Sequence, residues 1–141
     1  MRTPPQLAAI VALTLGLGGC NSPTVADKNT VETFSGTVQP SAVDAMKTFN
    51  VGSTGEVIAT LDALTPGGSA LIGIWFGQPN GGVCSVSVPI AADGTKVGTQ
   101  LFDYPVQIRG AYCIQVADYA LYSGGSPLTT AQTYTIRVSH P

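Results

Sequence analysis

The residues with the clearest chemistry are Leu17-Gly18-Gly19-Cys20, which end an apolar segment close to Met1. A bacterial lipoprotein signal peptidase cleaves such a sequence before the cysteine and leaves an S-acylated cysteine as the first residue. Residues 7–17 form an apolar run of about eleven residues, which suits a signal-peptide core and falls short of the roughly 20 residues of a membrane-spanning helix. The sequence therefore predicts a signal peptide over residues 1–19 and a lipid on Cys20. An ordinary secretory signal with a cysteine nearby is the alternative.

Acylation of Cys20 predicts a lipid-anchored protein of the bacterial cell envelope, with the membrane as its partner through the lipid. Stable anchoring takes two or more acyl chains, each buried CH₂ contributing about 0.8 kcal/mol. Asn21 follows the cysteine, whereas Asp there would indicate retention at the inner membrane, so the outer membrane or the cell surface is favoured. Residues 20–30 are polar and without periodicity, as expected for a flexible tether. Residues 31–141 then form the domain.

Two further cysteines, Cys84 and Cys113, remain once Cys20 carries lipid. An even pair in an oxidising compartment predicts a disulfide, which would contribute roughly 3–4 kcal/mol through loop closure. A redox pair or a metal site is the alternative. Redox pairs usually have Cys-x-x-Cys spacing and zinc needs further Cys or His ligands. The only histidine, His140, precedes the last residue and is expected to be a solvated tail residue.

Catalytic chemistry has weak support in the sequence. A hydrolase of the Ser or Cys type needs a histidine beside its nucleophile, and the surroundings of His140 supply none. A glycosidase would need a positioned carboxylate pair; the acids available are Glu32, Asp44, Glu56, Asp62, Asp93, Asp103 and Asp118. No P-loop or EF-hand spacing occurs, so Asp93 and Asp118 remain weak calcium candidates. We expect no enzyme and no cofactor.

Aromatic side chains supply the candidate ligand-binding residues. Tyr119 and Tyr122 flank Leu121 just before a Ser-Gly-Gly loop, where they could stack on a sugar ring or contact a partner protein. The structural alternative, which we favour, is that they cap the open end of a core. Trp75 has the same two interpretations, and its apolar neighbours favour burial in the core.

The elements that would position these residues are short β-strands. Runs with β-type composition are separated by clusters of Gly, Pro, Asn and Ser, and no segment has sustained helical periodicity. The predicted strands cover residues 32–38, 46–51, 56–64, 70–77, 83–88, 99–104, 111–117 and 133–139. About eight strands at this spacing predict an all-β fold, an antiparallel β-sandwich that is jelly-roll-like.

Alternation of side chains predicts which face of each strand is buried. One face carries Val57, Ala59 and Leu61 in one strand, and Tyr134, Ile136 and Val138 in another. Tyr112, Ile114 and Val116 likewise share a face, which puts Cys113 and Gln115 on the other side of that strand. Regular strands do not pair Cys84 neatly with Cys113, so a bulge or loop near Cys84 is expected. The segment 71–76 is apolar on both faces, as in a covered central strand.

Several segments together resemble bacterial pre-peptidase C-terminal-type domains. Phe34-Ser35-Gly36-Thr37-Val38 is similar to their opening F-x-G-x-V strand, and Gly110-Ala111-Tyr112 begins a segment similar to their G-x-Y-x-x-x-V strand. The likeness extends over residues 34–138 and includes the segments 47–51, 55–61 and 134–138. It implies a small jelly-roll-like sandwich that serves as a non-catalytic module of secreted hydrolases. The absence of an attached enzyme, the cysteine pair and the anchor depart from that pattern.

Charge excludes one class of partner. Without residues 1–19 the chain has five Lys and Arg against eight Asp and Glu, a net charge of −3 with no basic cluster. Such a surface does not suit nucleic acid. The sequence therefore predicts a non-catalytic, lipid-anchored envelope module with a binding or structural role, whose partner is a glycan or an envelope protein. A carbohydrate-binding module and an enzyme using a surface carboxylate pair are the alternatives.

Overall fold

The computed structural model describes residues 29–67, 69–88 and 97–141. The predicted signal peptide, the predicted acylation site Cys20 and the calcium candidate Asp93 lie outside these residues. The described part contains eight strands and one short helix, with the bounds β1 Thr30–Val38, β2 Lys47–Val51, β3 Gly55–Thr65, β4 Ile72–Asn80, β5 Val83–Val88, β6 Gln100–Val106, β7 Gly110–Asp118, α1 Ala120–Ser123 and β8 Gln132–His140.

The strands form two antiparallel four-stranded sheets, which pack face to face as a sandwich. The first sheet has the order β1-β8-β3-β6 and the second the order β2-β7-β4-β5. In the first sheet β1 runs along the whole of β8, so that Thr30 pairs with His140 and Val38 with Gln132. The all-β, eight-stranded sandwich predicted from the sequence is confirmed.

The core lies between the two sheets and consists of the side chains that alternation places inward. The predicted inward faces of β3, β7 and β8 are buried, with Val57, Leu61, Ile114 and Ile136 fully enclosed. Phe76 is the centre of an aromatic cluster, because its ring lies within 5.4 Å of Phe102, Tyr104 and Tyr112. Burial of this apolar surface stabilises the sandwich at roughly 25 cal/mol for each Å².

All predicted strands are present, and the largest difference is in β4. The run predicted over residues 70–77 is a strand over Ile72–Asn80, because the chain continues extended into a tight hairpin with β5. Gly81 and Gly82 form that turn with φ values of 58° and 87°, the left-handed conformation that two-residue hairpin turns require. Among the described residues, no helix is long and apolar enough to cross a membrane.

The disulfide between Cys84 and Cys113 is present, with an S–S distance of 2.09 Å. β5 and β7 are not neighbours but lie on either side of β4, where Cys84 pairs with Pro79 and Cys113 with Gly77. The bulge expected near Cys84 is not found there: the register between β4 and β5 is regular around Cys84 and shifts further along β5, between Phe76 and Gly77 of β4. The bridge therefore joins two strands across the outer side of a third.

Candidate functional site

Asp118, at the end of β7, organises one end of the sandwich. Its side chain is fully buried, and its carboxylate accepts hydrogen bonds from the backbone N–H groups of Ser41 at 2.7 Å, Leu128 at 2.9 Å and Ala120 at 3.1 Å. Burial alone would raise the pKa of the Asp118 carboxyl, but the three N–H donors together outweigh burial and hold that pKa below its ordinary value. Asp118 thus fixes three loops at once.

The calcium interpretation of Asp118 stays a prediction. Both of its carboxylate oxygens accept hydrogen bonds from backbone amides, which would compete with a metal ion for the same oxygens. Within residues 29–67, 69–88 and 97–141, no three His, Cys, Asp or Glu side chains lie close enough together to hold a metal ion.

The structure brings the three predicted ligand-binding residues together. The ring of Tyr122 meets the ring of Trp75 edge to face at 5.0 Å, and Tyr119 lies 6.4 Å from Tyr122. All three side chains are partly exposed. We call Trp75, Tyr119 and Tyr122 the aromatic patch.

The aromatic patch lies on the outer face of the second sheet, outside the core between the sheets. Trp75 alternates with the inward residues Ile74 and Phe76, so it points away from that core. Tyr122 covers Gly73, where a Cβ atom would collide with its ring. The expectation that Trp75 is a core residue is therefore wrong, as is the expectation that the tyrosines cap the open end of the core. The reason is that β4 is covered on its outer side by a separate element, the helix α1.

Within the patch, the hydroxyl oxygen of Tyr122 is buried and has no hydrogen-bond partner among the described residues. Burial raises the pKa of Tyr122 well above its ordinary value. The hydroxyl is accordingly neutral at all physiological pH values. Tyr122 therefore supplies the aromatic patch with an apolar ring edge and a hydroxyl that has no hydrogen bond among the described residues.

A groove of about 480 Å³ lies at the end of the sandwich where Asp118 ends β7. We call it the distal groove; its described lining consists of Gly67, Ser69, Ala70, Leu71, Ser126, Pro127, Leu128, Thr129, Thr130 and Gln132. Leu71 connects the groove to the aromatic patch, since it is the residue before β4 and its carbonyl accepts a hydrogen bond from the Tyr119 N–H at 3.3 Å. The sequence offered no signal for this groove, because its walls are loops that do not adjoin in the chain.

His140 is not the solvated tail residue that its position suggested. Only 2% of its surface is exposed, and its ring lies 5.0 Å from the ring of Phe49. Its Nε2 atom is 3.0 Å from a carboxylate oxygen of Glu32. The expectation is wrong because β8 continues through His140, whose side chain then takes the next inward position after Val138.

Asp44 closes the gap between the two sheets near β1. Tyr134 donates a hydrogen bond to its carboxylate at 2.6 Å, and Lys47 lies 3.8 Å away. Burial, together with the hydrogen bond to Asp44 and its negative charge, raises the pKa of Tyr134. This cluster holds the sheets together through a neutral phenol and a carboxylate.

The remaining acids are dispersed. Asp62 pairs with Arg137 on the surface, while Glu32, Asp44 and Asp118 each have the separate partners described above. Between β3 and β6, Glu56 pairs with Pro105 and Ile58 pairs with Asp103. Glu56 and Asp103 are therefore diagonal neighbours on the exposed outer face of the first sheet. Within the described residues, Glu56 and Asp103 are one candidate pair for the enzyme alternative, which stays a prediction.

No protein-family model matches this chain, and no curated protein matches it with significance. The likeness to pre-peptidase C-terminal-type domains is therefore supported only at the level of an eight-stranded all-β sandwich.

Proposed function

We propose that this chain is an exported, non-catalytic binding module, held at a bacterial membrane by acylated Cys20. The disulfide between Cys84 and Cys113 is consistent with a location outside the cytoplasm, where such bonds persist. Family membership among the pre-peptidase C-terminal-type domains is part of the proposal and is supported by the sandwich architecture.

One observation carries the binding role: the groove, with the aromatic patch beside it, lies at the opposite end of the sandwich from Thr30, where β1 begins. Thr30 pairs with His140, while the groove residue Gln132 begins β8 at its other end. Nine strand residues span about 26 Å. A chain tethered through residues 20–29 would thus present the groove away from the membrane, where a ligand has free access.

The anchor is tested by metabolic labelling of the full-length chain with an alkyne fatty acid. The wild type is expected to take up label and to sediment with membranes, and Cys20→Ser to do neither. An unlabelled wild type, or a Cys20→Ser variant that sediments with membranes equally, would overturn the anchor.

The binding surface is tested by photo-crosslinking from two exposed apolar positions at opposite ends. Leu121, in α1, is 48% exposed, and Ile108, between β6 and β7, is 66% exposed. A benzophenone amino acid is placed at either position in cells. Adducts from position 121 and none from position 108 are expected. Adducts from position 108 alone, or from neither position, would contradict a ligand surface at the distal end.

A further inference from the structure

The walls of the distal groove are held by two buried polar side chains. Asp118 accepts the N–H of Leu128 in one wall. Gln132, which is 3% exposed, accepts the N–H of Gly67 in the other wall at 2.8 Å. Its amide nitrogen donates to the hydroxyl of Thr130 at 3.2 Å. A groove whose loops are fixed in this way loses little conformational entropy when a ligand binds.

The chemistry of the groove selects against charged ligands. None of its described lining residues is ionisable. The polar groups are hydroxyls and one amide, carried by Ser69, Ser126, Thr129, Thr130 and Gln132. The apolar side chains of Ala70, Leu71 and Pro127 lie among them. A charged ligand would lose hydration there without gaining an opposite charge.

The surface of a sugar is complementary to the mixed polar and apolar lining of the distal groove. A pyranose ring carries hydroxyl groups around its rim and C–H groups on its faces, so it offers hydrogen bonds and apolar contacts to the same wall. Its C–H face also packs on aromatic rings, and the aromatic patch follows the groove directly beyond Leu71. The volume of about 480 Å³ is within the range of small-ligand sites.

We propose that the distal groove binds an uncharged oligosaccharide, with one sugar unit in the groove and the next against the aromatic patch. This inference rests on the proposed binding function and names its ligand class. The hydroxyls of Ser69 and Thr129 are free of hydrogen bonds to other side chains among the described residues, so they are the groups we assign to the sugar.

The experiment uses the purified full-length chain and defined neutral hexasaccharides, namely those of cellulose, xylan, chitin and starch. Binding is measured by calorimetry and by the fluorescence of Trp75, the only tryptophan of the chain. At least one hexasaccharide is expected to bind and to change the Trp75 emission. An acidic oligogalacturonide of equal length is expected not to bind.

Matched variants localise the site. Loss of both hydroxyls in Ser69→Ala with Thr129→Val is expected to weaken binding about tenfold or more. Tyr119→Ala is expected to weaken it and to reduce the fluorescence response. Ile108→Ala, at the opposite end, should leave the affinity unchanged.

Three outcomes would overturn the inference. Binding that is unaffected by the groove variants would put the sugar elsewhere. Binding of the acidic oligosaccharide alone would contradict a neutral ligand. The third outcome is that no sugar binds. If position 121 still forms crosslinks to an envelope protein, the proposed binding function stands without a sugar ligand; if it forms none, the proposed function is overturned as well.

Discussion

The carboxylate of Asp118 lies 2.9 Å from the backbone nitrogen of Leu128, ten residues further along the chain. This contact joins the end of β7 to the loop that forms one wall of the distal groove. The same carboxylate also holds Ser41 and the start of α1. The groove and the aromatic patch consequently depend on one buried charge for their relative position.

Replacement of Asp118 should reveal this dependence. Asp118→Asn exchanges an acceptor oxygen for an amide that cannot accept, and at least one buried N–H group loses its partner. We expect the free energy of unfolding at neutral pH to fall by about 2–3 kcal/mol, measured by urea denaturation. Asp62→Asn, in an exposed ion pair, is the control and should cost less than about 0.5 kcal/mol.

The pH dependence gives an independent test of Asp118. Because its folded-state pKa is lowered, its contribution to stability is present above the ordinary carboxyl pKa of about 3.9 and is lost as the pH falls through the lower folded value. Asp118→Asn should therefore have a flatter stability profile than the wild type below about pH 4. Parallel profiles would show that the charge of Asp118 does not stabilise the fold.

Tyr134 and Tyr122, whose hydroxyl groups differ in hydrogen bonding, are expected to respond oppositely to loss of those groups. Tyr134→Phe removes the 2.6 Å hydrogen bond to Asp44 and should destabilise the protein by about 1–3 kcal/mol. Tyr122→Phe removes a buried hydroxyl without a partner in the described residues, so its stability should stay level or rise. Thermal unfolding of the two variants measures the contrast. A larger loss in Tyr122→Phe than in Tyr134→Phe would contradict these assignments.

The disulfide should stabilise the fold measurably, because it closes a segment with a sequence separation of 29 residues. The double variant Cys84→Ala with Cys113→Ala is expected to lose roughly 3 kcal/mol while keeping its β-sheet circular dichroism. A thiol assay on the unfolded, unreduced wild type should find neither cysteine free. Reaction of both cysteines in that assay would exclude the bridge.

The strands and their inward faces could be predicted because they depend on local patterns. Alternation along β3 puts Val57 on the same face as Leu61, and alternation along β8 puts Ile136 on the same face as Val138, whatever the rest of the chain does. The disulfide between Cys84 and Cys113 could be predicted because two cysteines remain after Cys20 and an oxidising compartment favours their pairing. Each of these predictions needed only short stretches of sequence.

The site could be predicted only in part, because it depends on contacts between distant segments. Trp75 and Tyr122 were singled out, but their contact requires α1 to fold back over Gly73 of β4. The distal groove joins loops near residues 70 and 128, which no local pattern relates. Asp118 looked like a weak metal ligand, since a sequence does not show which backbone N–H groups meet a carboxylate.

His140 is the residue whose environment differs most from the expected one, and it permits a last test. Its ring fills an inward position against Phe49 and meets Glu32, so His140→Ala leaves a cavity and an unpaired carboxylate. We expect a loss of about 2–3 kcal/mol in unfolding free energy. Arg137→Ala, three residues earlier in β8, removes a surface ion pair whose arginine side chain is 51% exposed and should cost less than about 0.5 kcal/mol. Urea denaturation of both variants compares them directly. If His140→Ala were as stable as Arg137→Ala, the side chain of His140 would lie in solvent, and β8 would end before it.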